Sequence, residues 1–230
     1  MAHSSVDDRS LFIYADILSR VENVMVVVSD LLNGTSRIFP GKLGEDLGIG
    51  HYSSENSIWE KAILELMPPE EREKKYFAEL RFFHYLKRIP KKRRQDYCLM
   101  SRLRFKSMSG DSKEILHTMY YVYSRDLDML CYAVCQYGMA SPGFQGKSLV
   151  LDTRSGTSEE LTSESDSTIL SHRETQVLEL INQGKTSLEI ALMLSISKNT
   201  VSRHRQEILS KLQVRNSLEA CRMAKTLGIL

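Results

Sequence analysis

Asn199, Arg203 and Gln206, with Ser202 beside them and Lys198 and Thr200 just ahead, recur at three- and four-residue intervals near the end of a 230-residue chain. On a helix that spacing gathers them on one face. Amide and guanidinium groups held this way can each make paired hydrogen bonds to an adenine or guanine edge in a major groove. Lys185, Thr186 and Lys211 add candidate phosphate contacts, which position a protein without reading sequence. The chemistry suggested is recognition of double-stranded DNA. A solvated face on a small helical bundle has the same periodicity, so the elements around these residues must decide.

Those elements read as consecutive helices. The first is expected over Arg173–Gln183, with Val177, Leu178 and Ile181 on one face, Ser171 as N-cap and Glu174 at capping-box spacing. Gly184 supplies a left-handed stop. A second helix is expected over Ser187–Leu194, burying Ile190, Ala191 and Leu194. The turn Ser195-Ile196-Ser197 leads to a third, Asn199–Leu212, with Val201, Ile208 and Leu212 inward and His204 near them. A last helix, Ser217–Leu227, offers Leu218, Cys221, Ala224 and Leu227 for packing. Two helices, a short turn and a polar-faced third helix describe a helix-turn-helix.

The residues themselves carry a stronger signal. Leu170, Arg173-Glu174, Val177-Leu178, Gly184, Glu189-Ile190-Ala191, Leu194, Ile196-Ser197, Thr200-Val201, His204, Ile208, Lys211-Leu212 and Val214 resemble the LuxR-type (FixJ-type) helix-turn-helix over about the last quarter of the chain. The resemblance implies a four-helix DNA-binding domain acting as a dimer, with Thr200 to Gln206 in the groove and the last helix as dimer contact. Ser202 departs from the pattern, since many members carry Lys there; Arg203 or Arg205 is expected to take over that cationic contact.

Composition sets the frame: 42% hydrophobic, 26% charged and net charge +2. No apolar run reaches the ~20 residues of a membrane span, and the start MAHSSVDDRS has no export-signal pattern, so a cytoplasmic protein is expected. Nine Lys/Arg against five Asp/Glu from Ile169 onward leave 22 against 24 upstream, a basic tail beside a slightly acidic larger part. Cys131 and Cys135 are read as buried thiols, and no spacing of Cys and His indicates a metal.

Upstream, a helical pattern over Leu11–Arg20 precedes a β-branched run, Val24 to Val28, and Leu32-Asn33-Gly34-Thr35 signals a hairpin returning through Ser36–Phe39. Ile58–Leu86 is helical, with Pro68-Pro69 opening a helix whose apolar side is expected to be Tyr76, Phe77, Leu80, Phe83 and His84. Strands follow at Tyr97–Met108, Ile115–Ser124 and Met129–Tyr137, turning at Ser109-Gly110-Asp111 and Arg125-Asp126. A further hairpin is expected from Ser148–Leu151 and Ser158–Leu161. This order resembles a PAS-type sensor domain. Over roughly Val21–Met139 it implies a five-stranded antiparallel sheet flanked by helices; the expected division is an α+β PAS-like domain over 1–162, a Ser-rich linker over 163–169 and an all-α four-helix domain over 170–230.

Candidates for a ligand pocket are Trp59, Phe83, Tyr97, Phe105, Tyr121 and Tyr132, although core filling is the ordinary explanation for any one of them. No cofactor is indicated: His51, His84 and His117 stand alone. Asp7, Asp8 and Asp30 do not have a phosphoryl-receiver's spacing, and the run Lys87–Arg94 is read as a solvated connection that could touch DNA. The expected function is transcriptional regulation, not catalysis. Its expected partners are DNA and a second copy, with RNA polymerase and an unidentified small molecule as further candidates. A sigma-like factor or a response regulator with a divergent receiver is the alternative.

Overall fold

The computed structural model describes residues 8–107, 110–124, 129–141, 144, 148–162, 166 and 169–230. The chain forms two compact units, Met1–Leu161 and Thr162–Leu230. The expected turns at Ser109 and Arg125-Asp126, Asp7, and most of the expected linker (163–165 and 167–168) lie outside the described residues.

The N-terminal unit runs α1 (Asp8–Val21), β1 (Met25–Asp30), β2 (Thr35–Phe39), α2 (Gly41–Asp46), β3 (Ser54–Glu55), α3 (Lys61–Glu65), α4 (Pro69–Arg88), a 3-10 turn (Lys91–Asp96), β4 (Tyr97–Lys106), β5 (Ser112–Tyr123), β6 (Leu130–Met139), β7 (Leu149–Asp152) and β8 (Ser158–Glu160). Among the described residues the sheet has eight strands, ordered β3-β2-β1-β6-β5-β4-β7-β8, and not the expected five. The two-residue β3 extends one edge and the β7–β8 hairpin the other. All described ladders are antiparallel, unlike the parallel sheet of a phosphoryl receiver.

The β1–β2 connection departs from a two-residue Asn-Gly turn. Four residues link the strands, and of Asn33 and Gly34 only Gly34 is left-handed (φ +69°). Its N–H donates to Asp30 O at 2.9 Å, while the Asp30 carboxylate accepts from the Leu32 and Asn33 N–H groups. Asp30 is thus a turn residue.

The sheet is covered on both faces. On one, Val26, Val28, Tyr132 and Val134 pack with Ala15 of α1. On the other, Met25, Val27, Leu99, Leu103, Phe105, Ile115, Met119, Tyr121 and Tyr137 meet Ala78, Phe82 and Leu86 of α4. The buried side of α4 is Glu71, Lys75, Ala78, Glu79, Leu80, Phe82 and Leu86, while Tyr76, Phe77, Phe83 and His84 are only half-buried. The apolar stripe expected from the sequence is therefore rotated, and three charged residues, Glu71, Lys75 and Glu79, face inward. The β5–β6 ladder skips Cys131, stepping from Val122–Tyr132 to Tyr123–Leu130. That irregularity shifts the alternation of faces, and the buried Cys131 and Cys135 fall in different clusters.

The basic run is more committed than a solvated connection. Arg93 donates to Asp152 at 2.6 Å and to Asp96 at 3.3 Å, and Arg94 Nε donates to Ile89 O at 3.0 Å. No helix among the described residues is long and apolar enough to cross a membrane.

Candidate nucleic-acid interface

The C-terminal unit contains α5 (His172–Asn182), α6 (Ser187–Met193), α7 (Lys198–Leu212) and α8 (Ser217–Thr226). Each begins at a capping side chain. Ser171 and Thr186 form reciprocal capping boxes with Glu174 and Glu189, Ser197 Oγ accepts from Thr200 N–H, and Asn216 accepts from Glu219 N–H. Gly184 ends α5 at φ +80°, and Ser195 (φ 52°) and Gln213 (φ 53°) take the left-handed conformation after α6 and α7.

Val177, Leu178, Leu180, Ile190, Ala191, Val201, Ile208, Leu212, Ala220 and Ala224 are buried. Ile181 and Leu194 are half-buried, and Leu218 is 62% exposed, so it is not the packing residue that its spacing suggested. With Val201, Ile208 and Leu212 turned inward, α7 must turn Lys198, Asn199, Ser202, Arg203 and Gln206 to solvent, and all five are exposed. Thr200 is half-buried, with its hydroxyl 2.8 Å from Ser197 Oγ.

The basic residues divide by what holds them. Arg203 is exposed and pairs with Glu207 one turn on, at 2.9 Å, a contact easily exchanged. Arg205 instead donates to Ser187 Oγ (3.3 Å) and Ser217 Oγ (3.0 Å), tying α7 to the starts of α6 and α8. Of the two arginines proposed to replace a lysine at Ser202, Arg203 is the one presented. Lys211 Nζ donates to Glu174 Oε2 at 2.6 Å. Burial works against the Glu174 charge, but Lys211 and the Ser171 N–H and hydroxyl hold its carboxyl below the usual range. Thr186 is exposed with its hydroxyl engaged by Glu189, and Lys185 is half-buried beside it. Sequence reasoning missed the roles of Thr186, Ser197 and Arg205 as braces; the Thr-x-x-Glu spacing at Thr186 would have shown the first.

Of the aromatic pocket candidates of the other unit, Phe83, Tyr97, Phe105 and Tyr121 pack in one core cluster, while Trp59 and Tyr132 lie outside it. Trp59 stacks on Tyr76 (5.4 Å), Phe83 lies edge-on to Tyr121 (6.3 Å) and Tyr97 meets Tyr85 (5.9 Å). Phe105 packs on Tyr137 (5.7 Å), Tyr121 on Phe82 (5.6 Å), and Tyr132 belongs to the opposite, α1 face.

Residues 168–224 match the model of bacterial regulatory proteins of the luxR family. Over 60 residues the chain is 42% identical to the uncharacterized response regulatory protein YgeK of Escherichia coli, covering 26% of this chain and 41% of that one. It is 43% identical over 61 residues to the quorum-sensing regulator RhlR of Pseudomonas aeruginosa, covering 26% and 25%. The matches span 41% and 25% of these relatives' lengths, less than half of either. The solved VqmA of Vibrio cholerae aligns with 97% of this chain and 88% of its own at 13% identity and a TM-score of 0.36, a likeness that decides nothing about the N-terminal unit. What is shared is the segment whose caps, core and exposed α7 face are described above, and the C-terminal unit carries a luxR-family helix-turn-helix domain.

Proposed function

We propose that the chain is a sequence-specific DNA-binding transcriptional regulator whose α7 enters the major groove. The observation that carries this is the exposed face Asn199–Ser202–Arg203–Gln206 on a helix anchored by Val201, Ile208 and Leu212 within a luxR-family domain. Arg203 and Gln206 read base edges. Lys185, Thr186, Lys198, Asn199 and Thr200, at the starts of α6 and α7, lie against phosphates, where helix N-termini favour anions. Lys211, held by Glu174, is a further phosphate contact. The protein binds as a dimer, because one such helix reads too few base pairs for useful specificity.

The N-terminal unit is a PAS-like sensor and dimerisation domain. Support comes from its order, a β1–β2 hairpin, a helical insert and a β4–β5–β6 meander, with β3, β7 and β8 as edge additions. The expected division, 1–162, 163–169 and 170–230, is kept as part of this reading, and so is a cytoplasmic location. A sheet in this position argues against a sigma-like factor, which would need an aromatic-rich helical domain upstream. The test is selection of bound duplexes from a random pool by the full chain and by residues 169–230. An enriched inverted repeat is the expected result; no enrichment by either would sink the proposal.

A further inference from the structure

Inside the N-terminal unit, Glu79 of α4, His117 of β5 and Cys135 of β6 converge between helix and sheet. One donor atom from each lies within 4.8 Å of the other two, and all three residues are buried. His117 is fully buried, and neither ring nitrogen has a hydrogen-bond partner. Its Nε2 is 3.5 Å from Glu79 Oε1, and its ring stacks on Tyr137 at 4.9 Å. Leaving buried polar atoms unpaired costs stability, so a group this enclosed calls for an occupant.

Charge points to the sign of that occupant. Lys75 Nζ donates to Glu79 Oε1 at 2.5 Å, while Glu60, buried in the same core, accepts from Ser29 and Ser36 hydroxyls. Two carboxyl groups thus stand against one ammonium. We propose that Glu79, His117 and Cys135 bind one zinc-like divalent transition-metal ion. Imidazole, carboxylate and thiolate are the donors such borderline-soft ions take. On binding, the Cys135 sulfur gives its proton to solvent and takes the metal. Two carboxylates and a thiolate are then matched by the ion and the Lys75 ammonium. Lys75 remains an outer partner of the Glu79 carboxylate, fixing its orientation. Three protein ligands leave a fourth position open. Among the described residues a second such group, Glu174, His204 and Glu207, lacks this character, because it has no thiol and His204 and Glu207 are only half-buried. The proposal does not depend on the sensor reading of the unit.

The test uses the full chain with Co²⁺ as a coloured stand-in for Zn²⁺, added to folded protein and, separately, during refolding from urea. One ion per chain is expected, with the near-ultraviolet charge-transfer absorption of a cobalt–thiolate bond. The band should persist when Cys98, Cys131 and Cys221 are replaced by Ser and vanish in Cys135→Ser. His117→Gln and Glu79→Gln should each weaken binding by about tenfold or more. X-ray absorption on the Zn²⁺-loaded wild-type chain, which needs no variant, should show one sulfur at about 2.3 Å and nitrogen or oxygen at about 2.0–2.1 Å. Absence of stoichiometric binding under both protocols, a band that survives Cys135→Ser, or a metal shell without sulfur would overturn it.

Discussion

In the C-terminal unit the polar side chains that hold the structure sit at helix ends. Ser171, Thr186, Ser197 and Asn216 each satisfy a free backbone N–H close to water. In the N-terminal unit, Glu60, Lys75, Glu79, His117 and Tyr137 lie inside the core. The first arrangement is local and repeats a short sequence rule. The second depends on three or more elements arriving together, and an error there leaves a buried charge unpaired. The same residue types therefore mean modest, separable increments in one unit and coupled, costly ones in the other.

The largest effect should come from breaking the buried pair. Glu79→Ala leaves the Lys75 ammonium in the core and should cost about 3–5 kcal/mol. Urea unfolding followed by fluorescence of Trp59, the single tryptophan, reads this unit. The double variant Lys75→Met/Glu79→Leu should recover most of the loss; equal loss in single and double variants would erase the contrast between the units.

Next, Arg203→Ala should cost roughly 1–3 kcal/mol of binding to the selected operator and less on random DNA. Equal losses on both would reduce Arg203 to a phosphate contact. Arg205→Ala should instead lower the melting temperature of the C-terminal unit, since its donors brace Ser187 and Ser217. Normal stability with lost operator binding would reverse the two roles.

Cap removal should be smaller. Ser171→Ala or Thr186→Ala should cost about 1 kcal/mol each by thermal unfolding of residues 169–230. Additive losses would confirm that these increments are independent.

The smallest effect is a pH dependence. Glu174 is held below its unfolded value, which is about 4.3, so its contribution is complete above that pH. The contribution fades as pH falls from there through the depressed folded value. Lys211→Met should flatten this acid limb of the stability curve for residues 169–230, while an unchanged limb would detach Lys211 from Glu174.

Legibility followed the same division. Helices α5 to α8 begin and end within about a residue of where caps, Gly184 and the 3.6-residue period put them, because those signals act within a few positions. The exposed face of α7 was readable for the same reason. Three expectations failed where distant partners decide. Apolar periodicity on α4 favoured Tyr76, Phe77 and His84 as its inner side, but pairing with Glu79 let Lys75 turn inward. The six aromatic residues were assigned to one pocket, although Tyr132 belongs to the other face of the sheet. The edge strand β3, two residues long, has no periodic signal at all.

Sequence alone determined the helix-turn-helix, its caps and the side chains it offers to a groove, since helix formation and capping are settled over three to four residues. Only the tertiary structure decided that Glu79, His117 and Cys135 share one buried point and that Arg205 braces where Arg203 is free to reach out. Those facts depend on strand register and helix rotation, which are fixed by packing between segments far apart in the chain.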